Sequence, residues 1–470
     1  MNPNLPHDFV DMISGYGPDY AGPLLHALDE APSVSVRANA LKGASPLAGA
    51  DLVAWCPQGF YLPERPLFAA DPAWHQGLYY VQDASSMIYG RAVAEVVARY
   101  FDGVGSLRYL DACAAPGGKS IAAVEALPPD SIVVSNELDR HRANILLENV
   151  VKEGAPASVV CRGDAGRLCK LREAFDIIAV DAPCSGEGMM RKEPEAVRQW
   201  SRGLIADCAR IQQDILGQLW RALRPGGVLI YSTCTFNRSE NEENAAFIAG
   251  TLGGESIDLG LLAFDGVWPG IDTSLHCYRL APGHVRGEGL FIAAFRKPGE
   301  ASRKAASPRV KSRPLSDFCR SHIADADSYV EATGSQGSVE LRPRRHETFI
   351  AEVASATQLL RGGLTVGTVK GRDMIPSHDL ALSSALLADS FPHLDLDYAG
   401  ALAYLRGESL ADVPDGLPRG FVLARYGGRP LGFIKNLGRR ANNLYPDSMR
   451  LRLDPRNLPA SAPQSLISLQ

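Results

Sequence analysis

Long apolar runs are missing from this chain of 470 residues. No stretch approaches the ~18 to 20 uninterrupted apolar residues of a membrane-spanning helix, and the first twenty residues are acidic and polar rather than signal-like. A cytoplasmic protein without a membrane partner is therefore expected. Cys-x-x-Cys is missing too. The nine cysteines (Cys56, Cys113, Cys161, Cys169, Cys184, Cys208, Cys234, Cys277 and Cys319) are odd in number and scattered. In a long intracellular chain that spacing argues for free thiols and against a disulfide framework or a zinc site, so no metal is expected. Cys161 and Cys208 lie in apolar runs and read as core filler. The sequence also lacks internal repeats, long low-complexity tracts, and the Gly-x-Gly-x-x-Gly phosphate cradle, the last of which disfavours a dinucleotide.

What is present fits a folded globular protein: 46% apolar and 21% charged residues, with a length that implies two or three domains. The net charge of −5 conceals an asymmetry. Residues 1–300 hold 26 Lys/Arg against 36 Asp/Glu, whereas residues 301–470 hold 22 against 17. Eight basic residues lie between Arg419 and Arg452 with Asp447 as the one acid, interleaved with Phe421, Tyr426, Phe433 and Tyr445. Such a surface can bind phosphates on an acidic protein, or be the solvated face of a β-rich domain.

From Leu107 onward, apolar runs at 107–112, 132–136, 157–161, 175–181 and 227–232 read as strands, separated by helical patterns at 139–152 and 193–223. Alternating strands and helices predict a doubly wound α/β domain with a mostly parallel sheet over 101–298. Ligands then belong beyond the carboxyl ends of the strands. A small α+β unit is expected over 1–100, a basic linker or RNA-contacting strap over 299–315 (Arg303, Lys304, Arg309, Lys311, Arg313), and a β-rich region over 316–470.

The run Asp111-Ala112-Cys113-Ala114-Ala115-Pro116-Gly117-Gly118-Lys119 follows the first strand. Its glycines make a tight turn that lets the backbone approach a flat ligand. Glu137, ending the second strand about twenty residues on, is where an acid accepts from ribose hydroxyls. Asp164 follows the third strand, in reach of an adenine edge, and Asp181 ends the fourth. An acid at a strand end is by itself more often a cap or turn residue; three in order, with the glycine turn, match a nucleoside pocket such as that for S-adenosylmethionine.

Asp181-Ala182-Pro183-Cys184 and Ser232-Thr233-Cys234 bring two cysteines to strand ends in polar contexts. Carbon 5 of a pyrimidine is too weak a nucleophile to accept a methyl group unaided, and a thiolate adding at carbon 6 activates it. The carbon 5 proton and the thioether must then leave, which a second cysteine can assist. Asp181 could accept from the exocyclic amine of cytosine, a donor that uracil lacks. These residues do not rank the two cysteines.

The three motifs at 111–119, 181–188 and 231–235 resemble those of the RNA 5-methylcytosine methyltransferases of the NSUN and RsmB/RsmF type. Asn136-Glu137, Arg142, Asn149 and Gly154 extend the resemblance, with Lys152 where the family usually has arginine. The resemblance implies a Rossmann-like methyltransferase sheet in which Cys113, Ala114, Ala115, Pro116, Gly117, Gly118, Lys119, Glu137, Arg142, Asp164 and Asp181 bind S-adenosylmethionine, Cys234 is the nucleophile and Cys184 assists release. Glu148-Asn149-Val150 also occurs in DNA 5-methylcytosine enzymes, which use the Pro-Cys cysteine, but here it precedes that motif. Segments 78–87, 186–192, 420–422, 430–433 and 442–446 are similar to the bacterial RsmF-like subgroup, with Asn442 where lysine usually stands. They imply a C-terminal PUA-like RNA-binding region and action on small-subunit ribosomal RNA; the oligomeric state is not fixed by these residues, and a monomer is expected. Transfer RNA as substrate, or a non-catalytic ribosome-assembly protein, are the alternatives.

Overall fold

The computed structural model describes residues 5–300, 314–371, 373–410, 413–459 and 461–469. The basic residues expected in the linker, Arg303 to Arg313, lie outside the described residues.

The five strands expected in the middle of the chain form the centre of one large sheet. They run Leu223–Thr233, Phe175–Asp181, Arg108–Asp111, Ile132–Glu137 and Ser158–Arg162 in spatial order, all parallel. Alternation sorts their side chains onto two faces. Tyr109, Val133, Ile177, Ala179 and Ile230 meet the helix Ala84–Tyr100 on one face. Leu110, Val134, Ile178, Val180 and Leu229 meet Arg202–Leu219 on the other. The helical pattern over 193–223 divides at Trp200, because Ser201 caps a new helix by accepting from Leu204 N at 3.1 Å.

Both sheet edges are completed from further along the chain. Leu290–Arg296 pairs antiparallel with Leu223–Thr233. At the far edge Gln358–Arg361 pairs antiparallel with Ser158–Arg162, and Phe349, Ile350 and Val353 of the helix Glu347–Ala356 enter the same core. The β-rich tail thus differs from its sequence reading: one strand and one helix belong to the central sheet, anchored by Arg361. That arginine is 1% exposed, paired with Asp379 at 2.8 Å, and donates to the carbonyls of Ser158 and Ala155. The rest of the tail forms two four-stranded sheets, Tyr329–Thr333 to Asp373–Pro376 and His393–Leu396 to Ala441–Asn443. Its end returns to the front of the molecule, where Ile467–Leu469 pairs with Ala44–Pro46. Removing 316–470 would therefore strip both other regions of packed elements.

The first hundred residues hold a four-stranded sheet preceded by two helices, His7–Ser14 and Pro18–Ala27. Those helices pack on Met190, Trp200, Ile205 and Phe236, beside the cysteine-bearing loops. No described helix is long and apolar enough to cross a membrane. All nine cysteines are free; Cys161 is buried as expected, whereas Cys208 is half-exposed.

Candidate active site

The parallel register sets Ser232 beside Asp181, and Asp111 beside Ala179 and Ser135. Residues just past these pairs emerge together at the carboxyl end of the sheet, and the two cysteine motifs converge there. The sulfurs of Cys184 and Cys234 lie 3.3 Å apart across fifty residues of sequence, both half-buried. Lys119 Nζ donates to Asp181 Oδ2 at 2.6 Å, and Ser232 Oγ donates to Asp181 Oδ1 at 2.9 Å. The hydrogen bond from Cys184 holds the Cys234 thiol below its ordinary value; burial, Asp181 and Glu240 oppose this and Lys119 assists it. The same contact, with burial, pushes Cys184 well up. The two thiols are thus shifted in opposite directions, the one that favours a proton on Cys184 and a thiolate on Cys234.

Two buried carboxylates frame the pair. Glu187 and Glu240 are both 0% exposed. Glu187 Oε2 accepts from the backbone N–H groups of Phe236 and Asn237 at 2.6 and 2.9 Å, and its Oε1 from Trp200 Nε1 at 2.9 Å. Glu240 Oε2 accepts from Ser185 N at 3.0 Å and Gln212 Nε2 at 2.7 Å. Asn237 Nδ2 reaches both, donating to Glu187 Oε1 at 3.1 Å and Glu240 Oε1 at 2.7 Å. Each carboxylate thus ties the loop after Cys184 to the loop after Cys234. Gly188 N donates to Cys234 O at 2.8 Å, and a Cβ at Gly188 would lie 2.6 Å from that oxygen. The Gly-Glu-Gly of the first motif and the Asn-Arg-Ser-Glu of the second are thereby explained. Sequence reasoning did not single out Glu187, Asn237 or Glu240; their signal was acidic and amide residues crowded just after each cysteine.

Across the cleft, the turn after the first strand has a cis Ala115–Pro116 peptide and Gly117 at φ 118°. A Cβ on Gly118 would stand 3.1 Å from the Tyr80 ring and 3.3 Å from Gln82 Nε2, so the segment at 78–87 closes over this turn. Arg142 Nη2 donates to Ala115 O and Asn149 Nδ2 to Pro116 O, each at 2.8 Å. Arg142 thus holds the loop from outside. Cys113 is half-buried, its thiol pushed up by burial first and by Asp111 second.

Glu137 is 5% exposed. Its Oε1 accepts from Leu138 N at 2.8 Å and Asp139 N at 3.0 Å, while the buried Oε2 has no hydrogen-bond partner. Leu138 beside it is 68% exposed, an apolar wall that sequence reasoning passed over. Asp164 is exposed and caps the turn Ala165–Lys170 by accepting from Gly166 N at 2.8 Å. Asp111, not selected from the sequence although it opens the glycine motif, is 1% exposed. Its Oδ2 accepts from Ser120 Oγ at 2.7 Å and its Oδ1 has no partner; burial foremost pushes it up to about 7. A side-chain-free turn facing a buried, unsatisfied carboxylate oxygen fits a ligand bearing ribose hydroxyls. Among the described residues, the grouping with metal-ligand chemistry is the exposed His7, Asp8 and Asp11.

The basic stretch of the tail divides. Arg425 is paired with Asp395 at 2.8 Å, and Arg450 with Asp447 at 2.5 Å. Arg439, Arg440 and Arg452 are exposed. Of the interleaved aromatics, Phe433 and Tyr445 are buried at 1% and 3% and are core; Phe421 and Tyr426 are half-buried.

Comparison with known proteins agrees with this architecture. Residues 104–296 match the family described as 16S rRNA methyltransferase RsmB/F. Residues 5–84 match the N-terminal domain of 16S rRNA methyltransferase RsmF, and 391–451 the methyltransferase RsmF PUA domain. The ribosomal RNA small subunit methyltransferase F of Shewanella loihica is 31% identical over 409 residues, covering 84% of this chain and 82% of that protein. The protein of the same name from Cronobacter sakazakii is 30% identical, covering 84% and 83%. In fold, the crystal structure of NSun6 from Pyrococcus horikoshii with SFG is similar at TM-score 0.51 and 21% identity, covering 63% of this chain and 99% of that one.

Proposed function

The chain belongs to the RsmF-type 16S rRNA methyltransferases, and on that premise we propose that it methylates carbon 5 of a cytosine in small-subunit ribosomal RNA through a covalent bond from Cys234 to carbon 6. The observation that carries this reading is the 3.3 Å approach of the Cys184 and Cys234 sulfurs. A protein that only docked on RNA would not need two thiols in hydrogen-bonding contact at the carboxyl end of the sheet. The names of its relatives favour ribosomal over transfer RNA.

Bound S-adenosylmethionine would supply an electrophilic methyl group on its sulfonium. Glu137, through Oε2, which accepts no hydrogen bond and stands 3.7 Å from Arg142 Nη1, would hold the ribose, and the Gly117–Gly118 turn would admit the backbone close to the ligand. Cys234, as thiolate, adds to carbon 6 and makes carbon 5 nucleophilic. Lys119 balances that negative charge, and Asp181 is the acceptor for the exocyclic amine that distinguishes cytosine from uracil. After methylation the carbon 5 proton must be removed and Cys234 expelled; Cys184, in contact with that sulfur, assists. The cytosine must leave its stack to reach the thiols, so a loop, bulge or partly assembled RNA is the substrate. Arg439 and Arg440 on the PUA rim supply phosphate contacts that weaken as salt rises.

The test uses methyl incorporation into RNA together with denaturing gels. Cys234→Ala is expected to give no methylation and no adduct, whereas Cys184→Ala is expected to accumulate a protein–RNA species that survives denaturation. Methylation by Cys234→Ala, or loss of activity without an adduct in Cys184→Ala, would remove these roles.

A further inference from the structure

We propose that Cys184 and Cys234 are also an oxidation site, at which a peroxide joins the two sulfurs in a reversible disulfide that takes both out of the methylation reaction. The inactivation rests on the function proposed above, but the cross-link does not. Three features of the site carry the inference: the proximity of the sulfurs, the opposite directions in which their contact shifts the two thiols, and the contrast with the remaining cysteines.

The sulfurs are 3.3 Å apart and a disulfide bond is ~2.05 Å long, so closure needs a shift of only about 1.3 Å. Cys234 is the fixed partner. Its carbonyl is held by Gly188 N, and Thr233 before it donates to Asn241 Oδ1 at 2.5 Å. The backbone beside Cys184 is held too, by the bonds from Ser185 N to Glu240 and from Gln212 Nε2 to Pro183 O, but the space around the side chain is less filled: Pro183 is exposed, and a Cβ built on Gly186 meets no heavy atom within 4 Å. Rotation of the Cys184 side chain can therefore supply the movement. Both thiols are half-buried, which leaves them open to an oxidant as small as peroxide.

The chemistry follows from the contact of the two sulfurs, which favours the thiolate on Cys234 and the proton on Cys184. The Cys234 thiolate attacks one oxygen of hydrogen peroxide or an organic hydroperoxide; the S–O bond forms, the O–O bond breaks, and the departing hydroxide or alkoxide takes a proton from solvent. Cys184 then attacks the oxidised sulfur. The S–S bond forms, the S–O bond breaks, and the hydroxyl leaves with the Cys184 proton as water. Peroxide is thereby reduced by two electrons and the two thiols are oxidised by two. A low-pKa, accessible thiol beside a resolving thiol is the arrangement that oxidises selectively and reversibly. Of the seven other cysteines, Cys161, Cys277 and Cys319 are buried, burial pushes the Cys56, Cys113 and Cys208 thiols up, and Cys169, though half-exposed, has no thiol beside it; among the described residues no other two thiols are in hydrogen-bonding contact.

The full-length protein, treated with one equivalent of hydrogen peroxide and then alkylated, should yield on non-reducing digestion a peptide pair linked through Cys184 and Cys234. RNA methylation should fall to less than about a tenth and return with dithiothreitol. In Cys184→Ser, which lacks the resolving thiol, two or more equivalents of peroxide should carry Cys234 through the sulfenic to the sulfinic acid, which dithiothreitol does not reverse. Cys113→Ser should still form the linked pair. Over-oxidation of Cys234 in the unsubstituted protein without a cross-link, or linkage of Cys234 to Cys113 instead, would overturn the inference while leaving the methylation reading intact. A 184–234 cross-link with undiminished methylation would uphold the oxidation site and instead remove Cys234 as nucleophile.

Discussion

Around the two cysteines, Glu187 and Glu240 have all four carboxylate oxygens hydrogen-bonded, whereas across the same cleft Glu137 and Asp111 each keep one buried oxygen without a hydrogen bond, that of Glu137 standing 3.7 Å from Arg142 Nη1. All four acids are buried to 5% exposure or less, so burial alone does not separate them. The difference is in how much of each group's hydrogen-bonding capacity the fold itself uses. A fully bonded carboxylate fixes the loops that donate to it; one left half-bonded carries a desolvation cost that a ligand or a proton can relieve. The nucleophilic half of the cleft is thus set before substrate arrives, and the nucleoside half waits for its occupant.

The sharpest way to break this contrast is Glu240→Ala. It leaves Ser185 N without its acceptor and removes one bond each from Gln212 Nε2 and Asn237 Nδ2, which keep Pro183 O and Glu187 Oε1. A stability loss of about 4 kcal/mol is expected, from one orphaned donor at ~1–3 kcal/mol and two lost hydrogen bonds at ~1 kcal/mol each, together with loss of methylation; Glu240→Gln should lose less. Urea unfolding monitored by circular dichroism measures it. A loss below about 1 kcal/mol with intact activity would mean that the carboxylates do not frame the cysteines.

Asp111 offers the next test, through pH. Burial, ahead of every other influence, raises it from an ordinary 3.8 to about 7, with Asp181 adding to the effect and Ser120 and Lys119 opposing it. The folded protein therefore binds this proton more tightly than the unfolded chain does. Below pH 4 both states are protonated and nothing is lost. As pH climbs from about 4 to 7 the unfolded chain ionises freely while the fold resists, so stability declines by about 4 kcal/mol at ~1.4 kcal/mol per unit, and is flat beyond. Asp111→Asn should be equal to the unsubstituted protein in urea midpoint at pH 4 and more stable at pH 7.5. A difference independent of pH would show that the open Oδ1 costs nothing, and that a ligand is not needed to satisfy it.

How far the sequence reveals this arrangement depends on the range of the forces involved. The five central strands were legible because parallel strands buried on both faces need continuous apolar runs, as at Phe175–Asp181. Cys184 and Cys234 were legible because both end such strands. Glu187 and Glu240 were not: an acid next to glycine, or in Ser-Glu-Asn-Glu, reads as solvated turn, and what buries it is a donor fifty or more residues away. Gln358–Arg361 escaped for a related reason. Four residues with a charged end do not look like an edge strand of the central sheet until Asp379 and the Ser158 carbonyl receive the arginine. The helices at 7–27 carry an ordinary amphipathic pattern, which says that a face is buried but not that it is buried against the cysteine loops.

Glu137→Gln is the mildest change and the one most specific to the nucleoside half. The amide keeps an oxygen to accept from Leu138 N and Asp139 N, so the strand end should survive and stability should move by less than about 1 kcal/mol. What is replaced is the open Oε2, an acceptor exchanged for an NH₂ donor that cannot receive a ribose hydroxyl. Losing one such bond to a charged group is worth ~1.5 kcal/mol, or roughly tenfold. Titration calorimetry with S-adenosylmethionine should therefore show affinity about tenfold weaker, while alkylation of Cys234 proceeds at the unsubstituted rate because the cysteine loops are held by other acids. Slower alkylation in Glu137→Gln would mean that the two halves are coupled and that the open oxygen belongs to the same frame as Glu240.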